Sequence, residues 1–200
     1  MIKIKICGLT RLQDIEVVNE CKPEFVGFVF AESRRRIDEK TAAIFRERLD
    51  MQILAIGVFV NQEVEYIAGL CNHGIIDAVQ LHGNEDGEYI KRLKKICDGR
   101  IIKAVQVGDA LPVLPENADF VLFDSLIGGS GKSFDWGLLC DVGRQFATGY
   151  FLAGGLNLEN IKEAVKLQPF AVDVSSGVES NGRKDPEKIK EFIRRVRNEY

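Results

Sequence analysis

Short apolar segments alternate along the whole chain with segments of helical periodicity, and this alternation restricts the possible folds more than any other feature. The apolar segments are rich in β-branched and aromatic residues, which predicts β-strands. Eight strands are predicted, over residues 2–7, 24–30, 53–60, 75–81, 100–106, 120–124, 150–153 and 170–174. Eight helices are predicted to follow them, over residues 10–21, 39–49, 63–71, 85–96, 110–114, 136–146, 158–167 and 186–197. Because parallel strands need crossover connections, strict alternation predicts an α/β fold with a parallel sheet.

Two parallel architectures compete. A doubly wound sheet usually carries a G-x-G-x-x-G fingerprint after its first strand, but the segment Cys7-Gly8-Leu9-Thr10 has one glycine. A closed barrel fits better. Its eight strand-helix units would have about 25 residues each, and 200 residues is close to the lower limit for that fold. We therefore expect a minimal (β/α)8 TIM barrel that forms a single domain over residues 1–200.

Charge and composition favour a small-molecule partner. The formal net charge is −3, with 27 basic and 30 acidic residues spread along the chain, which argues against a nucleic-acid surface. The longest apolar runs are strand-sized, and the amino terminus lacks the pattern of a secretory signal, so we expect no membrane association and a cytoplasmic location. Five cysteines without metal-ligand spacing indicate a reduced set. Four of them lie in or beside predicted helices, where cysteine usually packs as a small hydrophobe.

The fifth cysteine, Cys7, closes the first predicted strand. The alternating run over residues 2–7 predicts a half-buried strand, and Gly8 then allows the chain to turn. In parallel sheets, ligands bind at the carboxyl ends of the strands. A thiol at this edge is a candidate nucleophile or base, and simple packing is the alternative.

Other predicted strands also end in polar residues. They contribute Gln80 and His82, Asp124, and Asp173. Each has a structural alternative, because Asp124 could satisfy backbone donors and His82 could be an ordinary loop residue. Two loops add further candidates: the basic run Ser33-Arg34-Arg35-Arg36, which could equally be a solvated surface, and the glycine-rich residues 128–132.

The last two loops predict a phosphate site. Gly154 and Gly155 follow the seventh strand, and Ser175, Ser176 and Gly177 follow the eighth. Barrels often bind phosphate between these two loops through exposed backbone N–H groups. The alternative is that the glycines only turn the chain into the next helix.

These motifs together resemble the phosphoribosylanthranilate isomerase family of tryptophan biosynthesis, and the resemblance extends over the whole chain. It rests on Lys5-Ile6-Cys7-Gly8-Leu9-Thr10, Gly27-Phe28-Val29-Phe30, Gly57-Val58-Phe59-Val60-Asn61, Val79-Gln80-Leu81-His82-Gly83, Phe123-Asp124-Ser125, Gly128-Gly129-Ser130-Gly131, Phe134-Asp135-Trp136, Ala153-Gly154-Gly155-Leu156 and Val172-Asp173-Val174-Ser175-Ser176-Gly177-Val178-Glu179. The family is one of TIM-barrel isomerases, which supports the fold expected from the alternation.

The resemblance implies an intramolecular oxidoreductase that performs an Amadori rearrangement. N-(5-phosphoribosyl)anthranilate opens its furanose ring and becomes 1-(2-carboxyphenylamino)-1-deoxyribulose 5-phosphate. By resemblance, Asp124 is the acid that protonates the ring oxygen, and Cys7 is the base that removes the C2 proton. A thiol needs a cationic or helix-terminal neighbour to become a thiolate near neutral pH.

The resemblance also assigns roles to the other candidates. It implies that Arg35 binds the anthranilate carboxylate, although a missing proline in this loop leaves Arg34 and Arg36 as competitors for that role. Gln80, His82 and Asp173 would line the pocket, and residues 128–132 would close over the substrate. Neither a metal nor another cofactor is implied.

Two other functions remain as alternatives. One is another sugar-phosphate isomerase or epimerase on a TIM barrel, although the metal-dependent epimerases need histidines at several strand ends and this chain has only His73 and His82. The other is a non-catalytic barrel that binds a phosphorylated ligand. The sequence leaves open whether the chain is a monomer or a homodimer.

Overall fold

A computed structural model describes residues 1–110, 112–125, 134–139 and 149–198 of the chain. Eight parallel strands form a closed barrel in sequential order, in which β8 pairs with β1. They are β1 (Lys3–Cys7), β2 (Phe25–Val29), β3 (Leu54–Phe59), β4 (Ala78–Leu81), β5 (Arg100–Val107), β6 (Phe120–Ser125), β7 (Tyr150–Leu152) and β8 (Ala171–Val174). The predicted TIM barrel and all eight predicted strands are confirmed.

Helices surround the barrel. They are α1 (Leu12–Cys21), α2 (Glu39–Arg48), α3 (Val64–Asn72), α4 (Gly87–Lys94), α5 (Ile161–Lys166) and α6 (Pro186–Asn198), with a 3-10 helix at Trp136–Leu139. After β8, a short antiparallel hairpin of β9 (Glu179–Ser180) and β10 (Arg183–Lys184) precedes α6. None of the helices within the described ranges has the length and apolar character that a membrane crossing requires.

The connection after β5 differs from the prediction of a helix over residues 110–114. Ala110 and residues 112–114 are not helical, and Leu111 lies outside the described residues. Pro112 explains the difference, because it has no N–H group to donate and it disfavours helical backbone angles in the residue before it. Of the helix predicted over residues 136–146, the first four residues form the 3-10 helix and residues 140–146 lie outside the described part of the chain.

Strand β1 is buried on both faces, so the expectation of a half-buried strand is wrong. Ile4 and Ile6 pack between the barrel and the helices, while Lys5 points to the other side and has no solvent exposure. The strand does have one apolar and one polar face, as the alternation indicates. In a closed barrel, however, the polar face points into the interior, whereas in an open sheet it would be solvated.

The barrel interior changes character along its axis. At its amino-terminal end, aromatic rings fill the interior, and Phe120 stacks on Phe170 with ring centroids 4.7 Å apart. Lys3 lies over the Phe170 ring at 4.6 Å and covers this end. At the level of Lys5, whose register partner on β8 is Asp173, the interior becomes polar. The apolar half thus forms a rigid floor beneath the polar carboxyl-terminal end.

Candidate active site

A cavity of about 220 Å³ opens at the carboxyl-terminal end of the barrel. Most of the residues that the sequence predicts for the site line this one cavity. They are Cys7, Arg35, Gln80, His82, Asp124, Gly154, Gly155, Asp173, Ser175 and Ser176. The positions come from six strand ends and the loops that follow them, so closure of the barrel is what brings the side chains together.

Beneath the cavity lies a lysine that the sequence analysis did not include in the site. The Lys5 ammonium donates to Gln80 Oε1 at 2.8 Å and to Asp173 Oδ2 at 2.7 Å. Burial alone lowers the pKa of Lys5, but the Asp173 carboxylate and Cys7 raise it by more, so the net pKa lies above its ordinary value. Lys5 therefore keeps its positive charge inside the barrel.

Cys7 lies on the same strand face as Lys5, two residues further along β1. Its register partner on β2 is Gly27, where a Cβ atom would lie only 2.6 Å from the Cys7 sulfur. Glycine thus leaves the space that the thiol occupies. Burial raises the pKa of the Cys7 thiol above its ordinary value, although a hydrogen bond to Lys5 and the charges of Lys5 and Lys184 act in the opposite direction. The cationic neighbour that a thiolate requires is present, but the effect of burial on the pKa of Cys7 is larger.

A chain of hydrogen bonds joins Lys5 to Asp124 across the cavity. Because Lys5 occupies the amide oxygen of Gln80, the amide nitrogen Nε2 faces His82 and donates to Nδ1 at 3.0 Å. The other ring nitrogen of His82, Nε2, lies 3.2 Å from Asp124 Oδ2. The backbone N–H of Ser125 donates to Asp124 Oδ1 at 2.8 Å. These contacts fix the orientation of the Asp124 carboxyl group.

Asp173 has one oxygen that is not used by the protein. Oδ2 accepts from Lys5, whereas Oδ1 is buried and has no hydrogen-bond partner among the described residues. The side chain is 7% exposed and lines the cavity. A buried carboxylate oxygen without a donor is unfavourable, so this atom is suited to accept a hydrogen bond from a ligand hydroxyl or amine.

The three consecutive arginines have different surroundings. Arg35 lines the cavity, and its side chain is 15% exposed, whereas the side chains of Arg34 and Arg36 are 56% and 53% exposed. Gly8, with φ of +80°, allows this approach, because a Cβ there would lie 2.5 Å from Arg35 Cδ. Of the three, Arg35 is therefore the one placed to reach a bound ligand.

Arg35 forms an ion pair with Glu179 of β9. Its Nε donates to Glu179 Oε1 at 2.7 Å, and an Nη atom donates to Oε2 at 3.1 Å. Lys184 also donates to Glu179, at 2.9 Å, and to the carbonyl of Ser175 at 2.9 Å. Burial raises the pKa of Glu179, but the hydrogen bonds from Arg35 and Lys184 have a larger, opposite effect. The net pKa of Glu179 is about 2. The resulting carboxylate fixes Arg35 and leaves its remaining N–H groups for the cavity.

The two loops of the predicted phosphate site lie side by side. Gly154 and Gly155 have positive φ angles of +84° and +68°. A Cβ at Gly154 would lie 2.5 Å from the backbone nitrogen of Ser125, so glycine is required next to the acid. Ser175 and Ser176 complete this wall of the cavity.

Gly177 does not line the cavity. It lies where the two loops meet, in an isolated bridge with Asn157, and a Cβ there would lie 1.9 Å from the Leu156 carbonyl oxygen. The glycine thus allows the close approach of the loops. A direct contact between Gly177 and phosphate stays a prediction.

Three buried charged residues of the site were missed by the sequence analysis, namely Lys5, Glu179 and Lys184. Lys5 had a usable signal, since it shares a strand face with Cys7. Glu179 and Lys184 are positioned by a hairpin whose strands have only two residues each. Such short strands show no apolar periodicity, so the sequence contains no comparable signal for these two residues. The proposed closing loop at residues 128–132 lies outside the described residues. Within the described ranges, no three potential metal ligands are close enough to hold an ion.

Comparison with protein families and known sequences agrees with this geometry. The model of the family described as N-(5'phosphoribosyl)anthranilate (PRA) isomerase matches residues 4–195. A curated N-(5'-phosphoribosyl)anthranilate isomerase from Endomicrobium trichonymphae is 51% identical over 203 residues, which cover 99% of this chain and 100% of the relative.

Solved structures show the same similarity. The phosphoribosyl anthranilate isomerase from Thermus thermophilus superimposes with a TM-score of 0.89 at 31% identity and covers 100% of both chains. A second phosphoribosyl anthranilate isomerase was solved in complex with reduced 1-(o-carboxyphenylamino)-1-deoxyribulose 5-phosphate. It has a TM-score of 0.85 and 35% identity, and the match covers 99% of this chain and 100% of that one.

Proposed function

The chain belongs to the N-(5'-phosphoribosyl)anthranilate isomerase family, and on that premise we propose that Cys7 and Asp124 are the base and the acid of its Amadori rearrangement. The enzyme is an isomerase of tryptophan biosynthesis. Its substrate is N-(5'-phosphoribosyl)anthranilate, and its product is 1-(2-carboxyphenylamino)-1-deoxyribulose 5-phosphate. The reaction needs one acid and one base, positioned on one ribose.

The first step opens the ribose ring. Asp124, in its protonated form, gives a proton to the ring oxygen while the C1–O bond breaks and a Schiff base forms between C1 and the anthranilate nitrogen. The contacts from His82 Nε2 and Ser125 N hold both carboxyl oxygens in fixed positions and so orient the Asp124 carboxyl group in the cavity. Gly154 keeps the wall beside the acid free of a side chain.

The second step removes the proton from C2 of the ribose. The Cys7 thiolate takes this proton, and the enolamine that results tautomerises to the ketone. Lys5 supports the thiolate, because it is a buried cation whose charge lowers the pKa of the Cys7 thiol. We assign to Lys5 the role of a positioning residue, which acts through Cys7 and Asp173 without contact to the substrate.

The two charged groups of the substrate have separate anchors. The phosphate binds at the wall of Gly154, Gly155, Ser175 and Ser176, where backbone N–H groups and hydroxyls can surround it. The anthranilate carboxylate binds Arg35, whose guanidinium is already oriented by Glu179. These anchors hold C2 of the ribose near the thiol.

One observation carries the proposal: Cys7 of β1 and Asp124 of β6 line a single cavity together with the anchors for both charged groups. Strands one and six are far apart around the barrel, so the two side chains approach a ligand from different sides. A non-catalytic barrel that binds a phosphorylated ligand would need the anchors but neither the acid nor the base. The geometry therefore favours the enzyme.

Turnover by two conservative variants tests the assignment. Cys7→Ser and Asp124→Asn should each lower kcat by about 10²- to 10⁴-fold, as is usual for loss of a general acid or base. The change is followed through the loss of anthranilate fluorescence, and product-analogue binding checks that each variant still has its pocket. Wild-type turnover in either variant would remove that residue from the mechanism. Wild-type turnover no faster than in buffer would contradict the enzymatic function.

Three further expectations stay predictions. No cofactor is assigned to the reaction, which moves only protons at the sugar. A cytoplasmic location is also expected, and the chain is expected to be either a monomer or a homodimer.

A further inference from the structure

Two cysteines outside the active site are in direct contact. Cys71 lies in the last turn of α3, and Cys97 follows α4 by three residues. Their sulfur atoms are 2.8 Å apart, although the residues are 26 positions apart in the sequence. A disulfide bond is about 2.05 Å long, so the sulfurs need to approach by less than about 1 Å to form one.

The surrounding backbone already holds these two segments together. The side chain of Asn72 donates to the carbonyl of Ile96 at 3.4 Å, directly beside the cysteines. A Cβ at Gly99 would lie 3.4 Å from the Cys97 sulfur and 3.5 Å from the Cys71 sulfur, so the glycine backbone covers the pair without filling the space between them. The contact is therefore a feature of the packing of α3 against the segment before β5.

The pair also has the electrostatics of a reactive dithiol. A hydrogen bond joins the two sulfur atoms, and together with the backbone N–H of Gly99 it lowers the pKa of Cys97 to about 7 in spite of burial. The same hydrogen bond and partial burial raise the pKa of Cys71. The contact between the sulfurs thus favours the loss of one proton from the pair.

The two cysteine residues differ in solvent exposure. Cys97 is 3% exposed, whereas Cys71 is only partly buried. A small oxidant therefore reaches Cys71 first. Cys71 ends a helix and Cys97 lies in a helix-to-strand connection, both at the end of the barrel opposite the cavity, and neither lines the active site.

We propose that Cys71 and Cys97 form a redox modification site, at which a low-molecular-weight disulfide oxidises the two thiols to an intrachain disulfide. After the shared proton moves to Cys97, the Cys71 thiolate attacks one sulfur of the oxidant, and one small thiolate leaves. Cys97 then loses its proton, attacks the mixed disulfide at Cys71 and releases the second small thiolate. Two protein thiols are oxidised, and the small disulfide is reduced to two thiols.

The bond stabilises the fold without changing the cavity. It closes a segment that contains β4 and α4, and a cross-link of this length stabilises a protein mainly by restricting its unfolded chain. We expect the melting temperature to rise by about 5–10 °C in the oxidised protein.

Peptide mapping under non-reducing conditions tests the proposal. The full-length protein is equilibrated with oxidised and reduced glutathione, the free thiols are alkylated, and the digest is analysed by mass spectrometry. We expect a peptide that links Cys71 to Cys97, which disappears after treatment with dithiothreitol. Recovery of both residues as alkylated or glutathione-bound peptides, without the link, would overturn the proposal.

Two variants provide matched controls. Cys21→Ser removes another partly buried cysteine and should retain both the linked peptide and the rise in melting temperature. Cys97→Ser should lose both. A rise in melting temperature that is equal in Cys97→Ser and wild type would contradict the stabilising role of the bond. Because no catalytic residue is changed, failure of this proposal is independent of the assignment of Cys7 and Asp124.

Discussion

Three lysines are buried in the part of the chain that the structure describes, and the surroundings of two of them, Lys5 and Lys103, differ in one instructive way. Lys5 is 0% exposed and Lys103 is 6% exposed. Lys103 points outward from β5 and donates to Glu85 at 3.1 Å and to the carbonyl of Gly83 at 2.7 Å, with two longer contacts to the carbonyls of Leu81 and Ala104.

All the groups around Lys103 find partners within the protein. Glu85, its counter-ion, accepts from the backbone N–H groups of Asn61 and Gly83 at 2.7 Å and 2.9 Å. This cluster therefore fixes the loop after β4 against β5. Its complete set of hydrogen bonds explains how a buried ion pair can be tolerated as a structural element.

Lys5 has partners that are themselves parts of the active site. They are Gln80, Asp173 and Cys7, and one oxygen of Asp173 still lacks a donor within the described structure. The comparison teaches that burial of a charge does not identify a functional site. The distinguishing feature is an unfilled hydrogen-bonding position that faces a cavity.

Among the changes that test this comparison, Lys5→Met has the largest predicted effect. Removal of the cation takes away the stabilisation of the Cys7 thiolate, so kcat/KM should fall by about 10²- to 10³-fold, as for loss of other preorganised electrostatic groups. Steady-state kinetics with the fluorescent substrate measure the fall. The change also leaves Asp173 without its cation, so a double variant with Asp173→Asn serves as the folding control. Recovery of activity in the double variant would show that Lys5 only maintains the fold.

A smaller effect is expected for Asp173→Asn alone. The amide cannot reproduce a carboxylate that faces both Lys5 and the ligand, so substrate binding should weaken by about 10- to 100-fold. Titration with a product analogue measures the dissociation constant directly. If the affinity is unchanged while only the melting temperature falls, then the free oxygen of Asp173 does not bind substrate.

Lys103→Met should separate stability from activity. Loss of the cation leaves Glu85 buried without its counter-ion, so the free energy of unfolding should fall by about 3 kcal/mol. Below the unfolding transition kcat/KM should be unchanged, because Lys103 does not line the cavity. Urea denaturation and kinetics on the same preparation provide both values. A loss of activity comparable to that of Lys5→Met would contradict the claim that Lys103 stabilises the fold without acting in the site.

The smallest effect concerns a third buried lysine, Lys184, through its partner Glu179. The pKa of Glu179 in the folded state is about 2, below its ordinary value of 4.5. A carboxyl group whose pKa is lowered on folding stabilises the folded state at pH values above its ordinary pKa. This stability is lost as the pH falls towards 2. The contribution is about 2 kcal/mol after allowance for solvent screening. Urea denaturation between about pH 3 and 6 should show this loss in wild type, and a slope of equal size in Glu179→Gln would contradict it.

The barrel was predictable from the sequence because nearly every strand and helix has its own local periodicity. Eight strand-helix units in a chain of this length then favour a closed barrel. The prediction failed after β5, where Pro112 interrupts a segment with weak periodicity. The strand-end residues Cys7 and Asp124 were also predictable, since the carboxyl ends of all parallel strands meet on one face.

Contacts between distant segments were not predictable. The sequence shows that Lys5 shares a strand face with Cys7, but the contact of Lys5 with Asp173 depends on β8 pairing with β1. The link from Arg35 to Glu179 joins residues 144 positions apart, and the contact of Cys71 with Cys97 depends on how α3 packs next to α4. Local patterns contain no information on such pairings.

The central claim is that Lys5 stabilises the Cys7 thiolate from within the barrel. The pH dependence of Cys7 alkylation by iodoacetamide, followed at the level of the Cys7 peptide, tests it most directly. We predict that Lys5→Met raises the pKa of Cys7 above that of the wild-type thiol, while Lys103→Met leaves it unchanged. The same alkylation profile in wild type and Lys5→Met would contradict the claim.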